Sequence, residues 1–295
     1  MAESKAAKPR GRVRSRGRLL AQIGPGISWL LLFFFVPLFL VFVYSFYEFS
    51  DGRVIKQFSL SNYERALSSA VYYRIFVKSL GYGVVVTLTA LLVGYPCAHF
   101  LARTTFRRKD ILFVGLIVPF WTTIVVRTYA WKILLGTKGV ANHLLLSLGI
   151  VQEPVKLLYT QTAVMFGLVH VFLPFMILPL YASIEKIPRH LEEAAMDLGA
   201  GRLRSFLRVN LPLSLPGVNT GCLLVFILTV GSFVTPELLG GPGEIMIANV
   251  IQREYYESFN WPFGFAMAVL LLMVILVLVI FYNRLFKLER IGGAP

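Results

Sequence analysis

The chain has 295 residues, of which 57% are hydrophobic and 15% charged, with a mean hydropathy of +0.71. That is too apolar for a soluble domain of this length. The apolar runs are continuous and rich in Leu, Val and Phe, which excludes the ten-residue alternation of a membrane barrel and leaves helices, since lipid offers unpaired backbone groups no partner. The net charge of +14 is concentrated at the N-terminus and between the apolar runs.

Residues 1–20, with seven basic side chains from Lys5 to Arg18 and few apolar ones, are expected to be a disordered basic tail. Attraction to anionic inner-leaflet lipid accounts for that charge better than nucleic-acid binding does. A helix needs about 20 apolar residues to cross a hydrocarbon core of roughly 30 Å, and six stretches meet or nearly meet that length. They cover 27–47, 80–102, 111–131, 162–183, 217–239 and 261–283 of a membrane domain spanning 21–290. The first is longer than the apolar core of a signal peptide, and no small-x-small cleavage site follows Tyr47. Basic residues cluster in the tail, at Arg103 to Lys109, between Lys186 and Arg208 and after Arg284, so these segments and both termini are expected on the cytoplasmic side.

Arg127 is the one charge well within a span. It is a functional candidate by default, the plainer alternative being that it snorkels to phosphate heads beside Tyr129 and Trp131. Cys97 and Cys222 read as small packing residues inside spans. His99, His143, His170 and His190 have no metal-ligand spacing, and no catalytic set can be assembled from spacing. A phosphate loop of the GxxxxGK[ST] form is missing, so the chain by itself is not expected to hydrolyse ATP.

Between the fourth and fifth stretches lies a charged loop, 184–213, with a helical pattern. Pro188 suits a first turn, Glu192 and Glu193 suit the positive end of the helix dipole, and Gly199 suits the helix end. Leu191, Ala194, Ala195 and Leu198 form a narrow apolar face with small residues at its centre. After Gly201 a second amphipathic run, with Leu203, Phe206 and Leu207 between arginines, is expected to stop at Pro212 before the next span. An amphipathic loop lying on the membrane surface would satisfy the same pattern.

The order Glu193-Ala194-Ala195, then Gly199, then Val209-x-Leu211-Pro212 resembles the EAA loop of ABC importer permeases. Val209 stands where Ile is more usual, a small departure. The resemblance implies a type I importer permease fold: six transmembrane helices, all-α, with this loop forming a coupling helix that docks on an ATPase subunit. Glu193 would pair with a basic residue of that subunit, Ala194 and Ala195 would let backbones approach, and Gly199 would make the turn; Asp197, Leu211 and Pro212 complete the coupling set. The segments WTTIVVRTYAW, Trp121 to Trp131, and PELLGGP, Pro236 to Pro242, resemble the first permease subunit of spermidine/putrescine-type importers and extend the match over most of 20–285.

The same resemblance implies a chain without cofactors, partnered by a second permease, by two subunits that bind ATP and Mg, and by an outer substrate-binding protein. The first span would wrap the partner permease while the others form the core. A polycationic cargo calls for carboxylates and aromatic faces, the latter worth roughly 0.5–2 kcal/mol per ammonium. The candidates for the pathway are Trp121, Tyr129, Phe175, Glu237 and Arg127, although Arg127 facing the pathway would repel a polyamine. The last outer segment, from Glu237 to Asn260, holds four Glu against one Arg and is either the seat of the binding protein or a cap on the span. The alternatives are an importer of the same class for another small solute and an ion-coupled secondary transporter. The latter needs membrane-embedded carboxylates or histidines and often inverted repeats, and no Asp or Glu lies centrally in the six stretches.

Overall fold

The computed structural model describes residues 23–104 and 109–286; the expected disordered tail lies outside them. Helix α1, Ile23–Tyr44, includes a π turn at Leu31–Phe35 and is followed by an antiparallel hairpin of β1, Tyr47–Ser50, and β2, Arg53–Phe58. The hairpin turns on Asp51 and Gly52, both with positive φ (50° and 73°), the conformation that Asp-Gly adopts at least cost. Then come α2, Ser61–Ser68; α3, Ala70–Arg103; α4, Lys109–Ile117; α5, Ile124–Leu135; α6, Val140–Ser147; and α7, Gln161–Glu185. The chain ends with α8, Arg189–Asp197; α9, Arg202–Val230; α10, Val234–Leu239; α11, Ile247–Tyr256; and α12, Trp261–Phe286.

Five of these helices, α1, α3, α7, α9 and α12, are long and apolar enough to cross a membrane. The third expected stretch, 111–131, is not one helix. It breaks into α4, a 3-10 turn at Val118–Trp121, and α5. Pro119 removes a backbone donor and disfavours helix in the residue before it, and Thr123 then caps the restart, its hydroxyl accepting from the Val126 N–H at 3.3 Å. The fifth stretch, expected at 217–239, ends instead at Val230, and Gly231 to Phe233 separate it from α10. Pro236 lies in the first turn of α10, where the N–H it lacks would have no helical partner.

Pro212 does not stop a helix either. It lies two residues beyond a π turn at Phe206–Asn210, in which the Leu211 N–H reaches back to the Phe206 carbonyl. The wider turn absorbs the missing donor, so α9 runs on unbroken from the loop into the bundle.

The core is the contact of α3, α7 and α9, where Val86, Ala90, Leu168, Met176, Leu180 and Val225 are fully buried. In lipid, helices are drawn together by packing more than by the hydrophobic effect, so small residues matter at their crossings. A Cβ on Gly217 would stand 2.6 Å from the Pro179 carbonyl and 2.5 Å from the Ser183 Cβ, which shows how closely α9 presses on α7. Cys222 is half-buried in this contact, but Cys97 is exposed on α3, so only one of the two cysteines packs as expected. A smaller cluster of Val230, Ile247, Phe263 and Met267 gathers α11 and α12 at the opposite end from the 184–213 loop. No residue in the most apolar window of α1 is buried. That helix meets α12 along Phe35, Phe39, Phe42 and Met273 and otherwise presents bare aromatic side chains.

Candidate functional site

The two ends of the bundle carry different chemistry. At one end, α8 opens after Pro188, which is the residue before the helix rather than in its first turn. The helix closes on a reversal in which the Ala200 N–H bonds the Ala195 carbonyl (3.0 Å) and the Gly199 N–H bonds the Met196 carbonyl (2.9 Å). This pair of bonds defines a Schellman cap, and Gly199 has the positive φ, 84°, that the cap needs. No neighbour would touch a Cβ on Gly199, so its requirement is conformational and not steric.

The expected coupling residues line this turn. Glu193, Ala194 and Asp197 are exposed, Ala195 is half-buried, Leu211 packs on the core and Pro212 is exposed beside it. Glu193 makes no ion pair among the described residues. Leu198 is 90% exposed and Leu203 72%, with Leu207 bare beside them and Arg202, Arg204 and Arg208 exposed around them. The apolar face expected on α8 is therefore turned outward and left uncovered. A shallow cavity of about 250 Å³ opens in this turn between Ala195, Gly199, Arg204 and Val209.

Behind the turn stands Arg103, the last residue of α3. Its guanidinium donates to the Ile187 carbonyl at 2.8 Å and to the Asn210 side-chain oxygen at 3.3 Å, and pairs with the Glu192 carboxylate. Arg189 in turn donates to the Arg103 carbonyl at 3.0 Å. Lys109 and Glu185, 2.8 Å apart, tie α4 to α7 at the same end.

At the other end a cavity of about 570 Å³ is lined by Lys156, Tyr159, Glu237, Gly241, Asn249 and Arg253, among others. Glu237, expected at the end of a span, sits instead on the separate helix α10. Its carboxylate accepts from Asn249 Nδ2 at 3.0 Å and pairs with Arg253 at 3.2 Å. Glu244, half-buried nearby, is held by Lys78 at 2.7 Å and by the Tyr82 hydroxyl. Burial by itself would raise its pKa, but the bonds from Lys78 and Tyr82 outweigh that and bring it below the usual carboxylate value. Glu254 on α11 goes the other way: burial pushes it up, only partly offset by Arg65 and Ser258.

The remaining pathway candidates lie along α5 and α7. The structure brings Arg127 and Phe175 together through Phe120: the guanidinium lies 5.8 Å from the Phe120 ring, which meets Phe175 edge-on at 5.3 Å. Arg127 is half-buried, makes a long bond to the Val171 carbonyl (3.4 Å), and leaves its Nε buried without a partner. One turn further on, Trp131 donates to His170 at 3.1 Å. Trp121 is 85% exposed in the break before α5, and Tyr129 lies exposed under Lys132, so neither joins that cluster. Helix α5 packs on α10, and Thr128 lies 3.5 Å from Thr235. The helix of Arg127 is thus next to the helix of Glu237.

The sequence reading missed Arg103, Asn210, Lys78, Tyr82 and the pairing role of Glu192. Glu192 and Arg103 are 89 positions apart and were visible only as a dipole residue and a cytoplasmic charge. No spacing rule joins them.

The family model described as "Binding-protein-dependent transport system inner membrane component" matches residues 6–289. The chain is 41% identical, over 89% of its length and 95% of the relative's, to the spermidine/putrescine transport system permease protein PotB of Escherichia coli (strain K12). It is 40% identical, over 88% of its length and 91% of the relative's, to the protein of the same name in Haemophilus influenzae. A chain of a bacterial alginate ABC transporter, solved in complex with an alginate pentasaccharide-bound periplasmic protein, has a similar fold: TM-score 0.76, 18% identity, 96% of this chain and 98% of that one covered.

Proposed function

Since the chain belongs to the family of binding-protein-dependent transport system inner membrane components, a family of multi-pass inner-membrane proteins, we propose that it is the permease subunit of an ATP-driven polyamine importer. The observation that carries the reading is the turn at Gly199: a cap that positions Leu198 and Leu203 outward on a basic surface, with none of the described residues covering them. In this reading α8 is the coupling helix and docks in a cleft of an ATPase subunit. Leu198 is the apolar anchor, Glu193 pairs with a basic residue of the partner, and Ala194 and Ala195 permit close approach.

ATP and Mg bind on those partner subunits, and their closure moves α8 and with it the bundle. The interrupted pair α4 and α5 serves as the third of six spans, its break lying against the pathway, and both termini face the cytoplasm. A second permease of similar fold supplies the other half of the pathway, with α1 reaching across to it through its bare aromatic face. A substrate-binding protein delivers cargo to the outer end.

Polyamine cargo rests on the identity to the two spermidine/putrescine permeases and on Glu237, a carboxylate lining an outer cavity beside Tyr159. A second reading, another small solute as cargo, is favoured by Lys156 and Arg253, which outnumber Glu237 in that cavity. The test is ATP hydrolysis by the complex of both permeases, ATPase and binding protein, titrated with spermidine, putrescine and sulfate. Stimulation by a polyamine alone is expected. Binding-protein-dependent stimulation by none of the three would keep the importer and discard the cargo.

A further inference from the structure

Helix α3 is fastened at its last residue to the 184–213 loop and, two to three turns from its start, to the 243–247 segment. At its inner end Arg103 gathers three pieces of chain that are separate in sequence: the Ile187 carbonyl before α8, the Glu192 carboxylate on α8, and the Asn210 side chain in α9. Arg189, the first residue of α8, closes the knot on the Arg103 carbonyl. At its outer end Lys78 holds Glu244 and the Gly243 carbonyl, the Tyr82 hydroxyl holds Glu244, and the Ser79 hydroxyl accepts from the Ile247 N–H at 2.9 Å. Residues 243–247 lead directly into the wall of the outer cavity at Ile245 and Asn249, and Asn249 is bonded to Glu237.

We propose that Arg103 is a positioning residue for transport: it locks α8 to α3, so that α3 carries displacement of the coupling helix to the Glu244 loop and the outer cavity as one rod. The inference rests on the importer reading above. Its physical basis is the length and continuity of α3. At 1.5 Å per residue, about 30–40 Å separates Arg103 from Tyr82 and Lys78, and no turn, bulge or second helix interrupts the 34 residues.

The choice of arginine follows from the same geometry. A guanidinium has five donors in a fixed plane, enough to bind a carbonyl, an amide oxygen and a carboxylate at once, whereas a lysine ammonium cannot hold three acceptors in that arrangement. The Arg103 side chain is mostly buried, 13% exposed, with Glu192 at 21%. The pair is therefore screened less than a surface pair and resists being pulled apart when α8 is loaded. At the outer end the roles are reversed, with one carboxylate held by an ammonium and a phenol.

Other connections between the ends are weaker candidates for the rod. Helix α7 joins the same two ends but carries Pro174 and Pro179 within it. Helix α9 carries a π turn and Pro216 between its inner and outer parts. Both prolines and π turns remove or displace backbone bonds and are places where helices bend. Helix α3 has one such residue, Pro96, which lies between Arg103 and Tyr82, but no π turn and no second proline.

The experiment uses the full complex in liposomes and records spermidine uptake per ATP hydrolysed, with ATPase binding to the permeases measured separately by pull-down. Arg103→Gln is expected to keep ATPase binding and to lower uptake per ATP about tenfold, and Arg103→Lys by a smaller factor. The exchange Arg103→Glu with Glu192→Arg is expected to recover part of the loss, which a merely disordered helix end would not. Glu244→Gln, at the far end of the rod, is expected to lower the same ratio. An unchanged ratio in Arg103→Gln or in Glu244→Gln would overturn the proposal. So would loss of ATPase binding in both Arg103→Gln and Arg103→Lys, since Arg103 would then only build the docking surface. A wild-type complex inert to ATP would sink the importer reading and this inference with it, whereas a transporting wild type with indifferent variants would sink the inference alone.

Discussion

The turn around Gly199 and the cavity around Glu237 both expose charge and apolar surface, but they are finished differently. At the turn, Leu198 and Leu203 are bare and the nearby arginines are exposed around them. In the cavity, Glu237 is already paired with Arg253 and bonded to Asn249, and nearby Glu244 is held by Lys78 and Tyr82. The first surface is left uncovered by the described residues. The second satisfies itself, so a ligand there has to displace pairs that already exist, and its net affinity is the difference. A protein partner would add apolar burial to an uncovered leucine at little cost, so under the proposed function the turn would be the stronger docking point and the cavity the weaker site.

The largest expected effect that separates the two is Leu198→Asp. The side chain is 90% exposed, so the fold should be untouched, while loss of a central apolar anchor of an interface weakens binding by about 2 kcal/mol or more, roughly 30-fold. A pull-down with the ATPase checks it, and undiminished binding would show that the turn is not the docking point. Next is Gly199→Val. A β-branched residue at φ 84° costs about 1–3 kcal/mol, and uptake should fall while the spans remain assembled, as read by transport against expression level. Gly199→Asn, which tolerates positive φ, should retain most activity.

At the cavity the effects are smaller. Glu237→Gln removes a carboxylate that is 39% exposed, where solvent limits such a pair to about 0–1 kcal/mol. Spermidine uptake at low concentration should drop by a factor of about two to five, and unchanged uptake would remove Glu237 from the pathway. Smallest is a pH effect of opposed signs. Glu244, held below the usual carboxylate value, contributes stability that is present above about pH 4.5 and lost as pH falls through its folded value. Glu254, pushed up by burial, favours the folded state in its neutral form, a contribution lost as pH rises from about 4.5 through its folded value. Thermal unfolding in detergent should therefore show Glu254→Gln gaining stability at pH 7 and Glu244→Gln losing it, with both differences fading toward pH 4.

The helix and reversal at Gly199 could be read without a structure because their determinants are local. Pro188, Glu192, the small residues and Gly199 act within a few helical turns of one another, and the Schellman cap involves only Ala195 to Ala200. The bounds of α7 and the inner end of α3 were also legible, since long apolar runs leave few alternatives, whereas α3 begins at Ala70, ten residues before the apolar stretch expected at 80–102. The third stretch misled because composition alone measures whether a segment tolerates lipid, and Pro119 and Thr123 decide whether its backbone continues. Pro212 misled in the other direction: it follows directly on a π turn, in the first residues of the α-helical segment that continues from it, where a proline is tolerated. The ties made by Arg103, Glu192 and Asn210, and by Lys78, Tyr82 and Glu244, lie beyond any sequence window.

Local chemistry along the chain was enough to establish a bundle of membrane helices, a charged loop between the fourth and fifth apolar stretches, and a reversal of that loop at Gly199. Each of these depends on hydrophobic content or on backbone preferences acting within a few residues. It took the folded bundle to show that Leu198 faces outward, that Glu237 is already paired, and that one helix, α3, is bonded both to the turn before Gly199 and to the 243–247 segment. Those features depend on which side chains meet across long separations of chain, and in a bundle whose lipid-facing and buried residues are equally apolar, no periodicity records that.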